Sequence, residues 1–307
     1  MVFLYELMDF PGCRIQRSIY NMKIFMLWDM EGVSGIFTRE HLWYWEAGVR
    51  PRIAAEGRQL MTADVNSAIV AALDAGVDEV IVCDTHHGGG NLELAAVLVD
   101  PRVTVLPRSV GYEGDERRWM PGMDETVDGM MVMGHHAKAG TAGDFLPHTQ
   151  MLEWADFRIN GQSVGEMGIE VCYAGHWDVP PILVQGTESA CREAEVLFPG
   201  VVTAAVKQAV SHDLAAGPDA ESARRLTARK VVEAIEKLRA GACKPYQPMC
   251  PMTVTIRMTT TARADAAVLK PGVKRIDAYT VEKVVDQQCD VVRWIVGQGR
   301  HMIPKGN

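Results

Sequence analysis

Five short apolar runs, set apart by stretches long enough to be helices, constrain this chain more than any other feature. They are KIFMLW (23–28), DEVIVCD (78–84), RVTVLP (102–107), GMMVMG (129–134) and PPILVQG (180–186). Near-continuous apolar runs of this length suit strands buried on both faces, as in a parallel sheet. Between the first two, Met61, Val65, Ile69 and Leu73 recur at every fourth position within 56–75, a helix stripe that Gly76 would stop. Residues 165–175 and 188–197 also read as helices, and 219–240 as a long amphipathic one with Val231, Ile235 and Leu238 on one side. The alternation predicts an α/β fold, a largely parallel sheet flanked by helices.

Further on, PMTVTIRMTTTA (251–262) alternates Val254, Ile256 and Met258 with threonines and Arg257. That period of two predicts a half-exposed antiparallel strand in a smaller C-terminal portion. The turn-rich GACKPYQPMCP (241–251) sets the expected boundary, giving a catalytic α/β domain over 22–245 and a smaller α+β portion over 246–307. Met22 begins what reads as a natural first strand, so residues 1–21 are expected to be an N-terminal extension or arm.

Composition narrows the partners. The 307 residues are 48% hydrophobic, enough for a sizeable core, and the formal net charge is −8 with no cluster of Lys or Arg. That balance argues against nucleic acid or an anionic membrane. Seven cysteines occur without a C-x-x-C pair, which fits a reducing cytoplasm better than a disulfide framework. No apolar run approaches the ~20 residues of a membrane span. Glu6 and Asp9 stand early in the N-terminus, which lacks the basic region of a signal peptide.

Ligands of open α/β sheets sit beyond the carboxyl ends of the strands. Here those ends carry chemistry. The first run stops at Asp29 and Glu31, the second at Asp84, His86 and His87, and GMMVMG at His135 and His136. Imidazole and carboxylate together suit Zn²⁺ or Mn²⁺. In extended backbone Asp29 and Glu31 would point the same way, and one aspartate can bridge two ions. Each residue alone has a plainer reading. The two acids could cap a helix, the His86–His87 loop could be solvated, and only one of the adjacent His135 and His136 is expected to face a given site. Convergence of three strand ends tilts the balance toward metal.

Two later segments add candidates. FLPHTQM (145–151) puts His148 in a polar loop, and NGQSVGEMGIEVC (160–172) puts Glu166 at a helix start with Glu170 one turn on. Helix-dipole stabilisation is the plain alternative for Glu166. Lys207 is a candidate substrate contact, or equally a helix-surface lysine. There is no G-x-S-x-G elbow, H-E-x-x-H or phosphate loop, and no D-x-H with G-N-H of the dinuclear phosphoesterases.

Together DMEGVSG, DTHHGGGN, GHHAKAGT, the His148 loop, INGQSVGEMGIE and VTAAVKQAVS (202–211) resemble, in order and spacing, the motifs of the D-aminopeptidase family. The resemblance runs from about Met22 to about Ser211. It implies two Zn²⁺ per subunit, with Mn²⁺ or another divalent ion as substitute. It aligns Asp29 with a bridging aspartate, and Glu31, His86, His136 and Glu166 with the other metal ligands, choosing His136 over His135. His148 aligns with the proposed catalytic histidine. The resemblance also implies a homo-oligomer, in the type member a decamer enclosing a chamber, and short peptide substrates with an N-terminal D-residue, of the D-Ala-D-Ala kind.

The expected reaction is attack on the scissile carbonyl by hydroxide held at the metals, whose water is acidified toward a pKa of ~7. His148 would transfer a proton or stabilise the oxyanion. Glu31 or Glu170 would read the free α-amine. Rival readings are an L-aminopeptidase, another dinuclear amide or phosphoester hydrolase, and a cytoplasmic peptide-binding protein without activity.

Overall fold

The computed structural model describes residues 21–107 and 119–296. The expected arm over 1–21 lies outside the described residues but for Asn21. In chain order the first elements are β1 (Lys23–Trp28), α1 (Pro51–Asp74), β2 (Glu79–Asp84), β3 (Val103–Pro107) and β4 (Gly129–His135). Then come β5 (Trp154–Ile159), β6 (Gln162–Ser163), α2 (Glu166–Gly175), β7 (Pro181–Thr187), α3 (Glu188–Leu197), β8 (Val202–Ser211) and β9 (Leu214–Ala216). The last are α4 (Ala220–Arg239), β10 (Met252–Met258), α5 (Thr261–Ala267), β11 (Lys274–Arg275), β12 (Thr280–Val285) and α6 (Arg293–Val296).

Seven strands form the main sheet in the order β3-β2-β1-β4-β7-β8-β9, parallel up to β8 and antiparallel at β9. The chain runs outward from β1 through β2 to β3, then returns to lay β4 on the other side of β1. A crevice therefore opens beyond the carboxyl ends of β1 and β4, where the winding direction changes.

Alternate residues of β1 explain its unbroken apolarity. Ile24, Met26 and Trp28 pack with Met61, Val65 and Ile69 of α1 and Val231 and Ile235 of α4. Phe25 and Leu27 face the opposite core, shared with Ile169 of α2, Phe157 of β5 and Ile256 of β10. Both faces are covered, so neither can be polar. α1 starts earlier than the apolar stripe predicts, at Pro51, with Arg50 in extended backbone before it. Proline lacks only an N–H that a first helical residue would leave unused.

The second sheet has five strands in the order β11-β12-β10-β5-β6, paired antiparallel. The alternation read in 251–262 is realised, because Val254 and Ile256 are buried between the exposed or half-buried Thr255 and Arg257. This sheet draws β5 and β6 from before residue 245, so its strands interleave with the main layer along the sequence. Val254 opposite Ile159 fixes the register. β5 follows directly on the loop that leaves β4, which brings the second sheet over the crevice.

Candidate active site

The loop after β1 is clamped to β4. Asp29 donates its backbone N–H to the Met133 carbonyl at 2.9 Å, and Gly32 to that of Gly134 at 2.6 Å. Only glycine allows this approach. Gly134 has φ +70°, and a Cβ there would collide with the Asp29 carbonyl. A Cβ on Gly186 of β7 would strike the carbonyl of His135. Met30 to Val33 close a turn, so Asp29 and Glu31 do not converge through the extended backbone their spacing suggests. The turn carries both carboxylates to the same imidazole and drives Met30 into the core beside α1.

That imidazole is His86. Its Nδ1 lies 2.8 Å from Asp29 Oδ1 and 3.2 Å from Glu31 Oε2. Its Nε2 lies 3.2 Å from the Leu42 carbonyl, an acceptor, so Nε2 carries a hydrogen. Nδ1 then stands among two carboxylates and is the nitrogen a metal would take once its proton is displaced. The indole N–H of Trp43 donates to Glu31 Oε1 at 3.3 Å and orients that carboxylate.

The other oxygen of Asp29 serves a second cluster. His136 Nε2 stands 3.4 Å from Asp29 Oδ2 and 3.8 Å from Glu166 Oε2. His136 Nδ1–H donates to the Ala137 carbonyl at 2.9 Å, which leaves Nε2 as the nitrogen a metal would take once its proton is displaced. Nε2 is buried and makes no hydrogen bond among the described residues. Glu166 opens α2 and accepts from the backbone N–H of Gln150 at 2.8 Å. His148 stacks on His136, with ring centroids 3.9 Å apart and planes within 10°. Its Nδ1–H donates to the Leu146 carbonyl at 2.9 Å.

Three groups of side chains therefore bring ligand atoms within 4.8 Å of one another: Asp29, Glu31 and His86; His136, His148 and Glu166; and Asp29, His135 and His136. Oxygen and nitrogen donors without thiolate fit zinc or manganese. Burial of so many acids and imidazoles, with His136 Nε2 unsatisfied, is the condition a divalent cation relieves.

Charge in the site follows from these contacts. Burial opposes ionisation of Asp29, yet its contacts with His136 and His86 hold it well below the usual carboxylate range. Burial likewise opposes the charge on His136, but Asp29 and the charges of Glu31 and Glu166 outweigh it and push the imidazole up to about 10. His86 moves up well above the ordinary histidine value, against its burial, through Glu31 and Asp29. His148 goes the other way: burial and the neighbouring His136 push it down to about 4, so it is neutral at pH 7. Burial, with Glu170 and Asp29 nearby, raises Glu166 to about 7.

The remaining candidates lie elsewhere. Glu170 is buried behind the cluster, where its carboxylate meets His135 Nε2 at 3.0 Å. Lys207 is not on a helix surface. It belongs to β8, is 3% exposed, and its ammonium donates to the backbone carbonyls of Glu31, at 2.7 Å, and Ile36. Burial pushes that ammonium down to about 7. Neither Glu170 nor Lys207 lines the cleft.

The cleft itself has a volume of about 880 Å³. Asp29, Glu31, His86, His148 and Glu166 line one side, and residues of the second sheet, of α5 and of the turn after it line the other, among them Trp154, Met258, Arg263 and Lys270. Trp43 and Trp45 form a further wall, and Trp45 stacks on His87 at 4.1 Å. Sequence reasoning missed these tryptophans. Their signal is the aromatic cluster WYW (43–45) just past the acidic loop, without strand or helix period. Arg263 and Lys270 carry no local signal.

Residues 22–296 match the profile of a family described as D-aminopeptidase. The D-aminopeptidase of Bacillus subtilis (strain 168) is 32% identical over 253 residues, 82% of this chain and 86% of that protein. The solved structure of the Zn-dependent D-aminopeptidase DppA from Bacillus subtilis, a self-compartmentalizing protease, superimposes with a TM-score of 0.80. It shares 28% identity and covers 93% of this chain and 100% of its own.

Proposed function

The chain belongs to the D-aminopeptidase family, and from that premise we propose that it is a zinc-dependent aminopeptidase releasing the N-terminal residue of short peptides that begin with a D-amino acid. The observation that carries the reading is the division of labour within Asp29. Oδ1 faces His86 and Oδ2 faces His136, so one carboxylate joins two ligand clusters. Asp29, Glu31 and His86 would hold one ion, and Asp29, His136 and Glu166 a second. Zinc is the metal named for the solved relative; manganese fits the same donors. When bound, the metal supplies Lewis acidity, which polarises a carbonyl and makes water a stronger acid.

The protein's own groups do the rest. His148 holds Nε2 as a bare acceptor, because its Nδ1–H is committed to Leu146. Nε2 takes a proton from the attacking water and returns one to the departing amine as the C–N bond breaks. Glu31 lines the cleft and can meet the substrate's α-ammonium, whereas Glu170 is bound to His135 behind it. Lys207 holds the loop that carries Glu31, through two carbonyls. Trp43 is buried against Glu31 and His148 on one side of the cleft, with Trp45 beside it.

Assembly into a homo-oligomer, a decamer by family resemblance, and a cytoplasmic location belong to the same proposal. The solved relative is described as self-compartmentalizing. Among the described residues no helix is long and apolar enough to cross a membrane. The test is a paired assay of D-alanyl and L-alanyl dipeptides and p-nitrophenyl phosphate, with zinc supplied and metal content measured. Turnover of the D-dipeptide, abolished by chelation, is expected. Zinc-loaded protein that cleaves only the L-peptide or the phosphoester overturns the reading.

A further inference from the structure

The cleft is chemically asymmetric. Its inner side carries Asp29, Glu31 and Glu166, while its outer side, contributed by α5 and the residues after it, carries the cations Arg263 and Lys270, with the single carboxylate of Glu153 beside Arg263. Apolar side chains stand between, including Met151, Trp154 and Met258. A chain of formal charge −8 has no general excess of cations to scatter there, and the two stand seven residues apart on one short segment.

The two cations are free to take a ligand. The Arg263 guanidinium touches Glu153 Oε1 at 2.6 Å, but the pair is well exposed, with side chains 59% and 36% accessible. Exposed pairs of this kind hold weakly. Glu153 engages one of five guanidinium N–H donors, and the planar fork that remains suits a second carboxylate. The Lys270 ammonium forms no ion pair among the described residues, and its side chain lines the cleft.

We propose that Arg263 and Lys270 bind the C-terminal carboxylate of the peptide, so that this enzyme's substrates are zwitterions: short peptides whose free amine lies at the inner side, beside the metal ligands, and whose free carboxylate lies at the cationic outer side. The inference rests on the aminopeptidase reading and adds to it an outer determinant of specificity. A peptide binds in one direction because the opposite orientation would set its amine against the two cations. Long chains, and peptides whose C-terminus is blocked, lose the outer contact.

The experiment compares the zinc-loaded protein on D-alanyl-D-alanine and on the same dipeptide with a C-terminal carboxamide. The acid should be preferred in kcat/KM by at least about tenfold, equivalent to about 1.4 kcal/mol. In the double variant Arg263→Gln/Lys270→Gln that preference should collapse, mostly through KM for the acid. The charge-reversed Lys270→Glu should shift preference toward D-alanine aminoethylamide, whose far end is cationic. Equal cleavage of acid and amide by the wild type overturns the carboxylate inference while leaving the aminopeptidase reading intact. An acid-to-amide ratio unchanged in the double variant overturns the assignment to these two residues. If zinc-loaded wild type cleaves neither dipeptide, the aminopeptidase reading falls and this inference with it.

Discussion

Asp29 is buried and His148 half-buried among histidines, yet their substitutions should fail in different ways. Asp29 faces both ligand clusters, so Asp29→Ala should lose metal and activity together, as measured by elemental analysis of the purified variant beside its turnover. His148 has its own anchor on Leu146. His148→Ala should keep its metal and lose about 10²–10⁴-fold in kcat, the usual contribution of a general acid–base group. Near wild-type turnover by that variant would remove His148 from the proton path. Protons also compete with metal. In the metal-free chain Asp29 and its neighbours hold His136 protonated up to about 10, and His86 is raised likewise. Zinc must displace both protons, so affinity falls as pH falls. Each displaced proton changes the apparent constant about tenfold per pH unit. Competition with a chelator of known affinity at pH 6 and pH 8 should give a slope of two to three protons, the third from Glu166, which is raised to about 7; a flat profile would rule out imidazole ligands.

At the scale of elements, the site depends on how closely β1, β4 and β7 approach. Gly134→Ala should be costly for two reasons, the left-handed backbone and the collision with the Asp29 carbonyl. Gly161 is the control, with φ +83° and nothing within 4 Å of a new Cβ. Gly161→Ala should cost only the conformational penalty, about 1–2 kcal/mol. Gly134→Ala should exceed it in denaturant titration and also weaken zinc binding. Equal costs and intact zinc would mean that the close approach does not set the site. The same elements explain what was legible in the sequence. Strands of the main sheet are buried on both faces, so they stood out as unbroken apolar runs, and the polar residues at their ends stood out against them. β5 did not, because WADFRI buries one face only and its partner β10 lies far along the chain. Lys207 was misread because its strand ends in exposed residues, and a buried lysine satisfied by two carbonyls has no period to betray it. Arg263 and Lys270 reach the cleft only through the pairing of β10 with β5, a long-range contact with no local pattern.

Over the whole molecule, the proposed ligands tie together parts of the chain that the backbone alone holds less firmly. Asp29 and Glu31 follow β1, His86 follows β2, His136 follows β4 and Glu166 begins α2. No such arrangement exists in the unfolded chain, so the free energy of metal binding is added to the free energy of folding. At a free ion concentration of 1,000 times the dissociation constant this is about 4.1 kcal/mol for one site. For a chain of this size each kcal/mol is worth roughly 2 °C. Removing both zinc ions with a chelator should then lower Tm by roughly 16 °C, about 8 °C for each site, read by calorimetry. Asp29→Ala already lacks the metal and should show no further drop with chelator, which separates loss of zinc from nonspecific effects of the reagent. Hydrogen exchange locates the change. Amides around residues 29–36 and 134–148 should lose protection, while β10 and β12, whose ladder and core owe nothing to the metal, should keep theirs. Uniform loss across both sheets would instead mean that the centre holds the entire fold together, and the cleft would not survive as a preformed site in the metal-free protein.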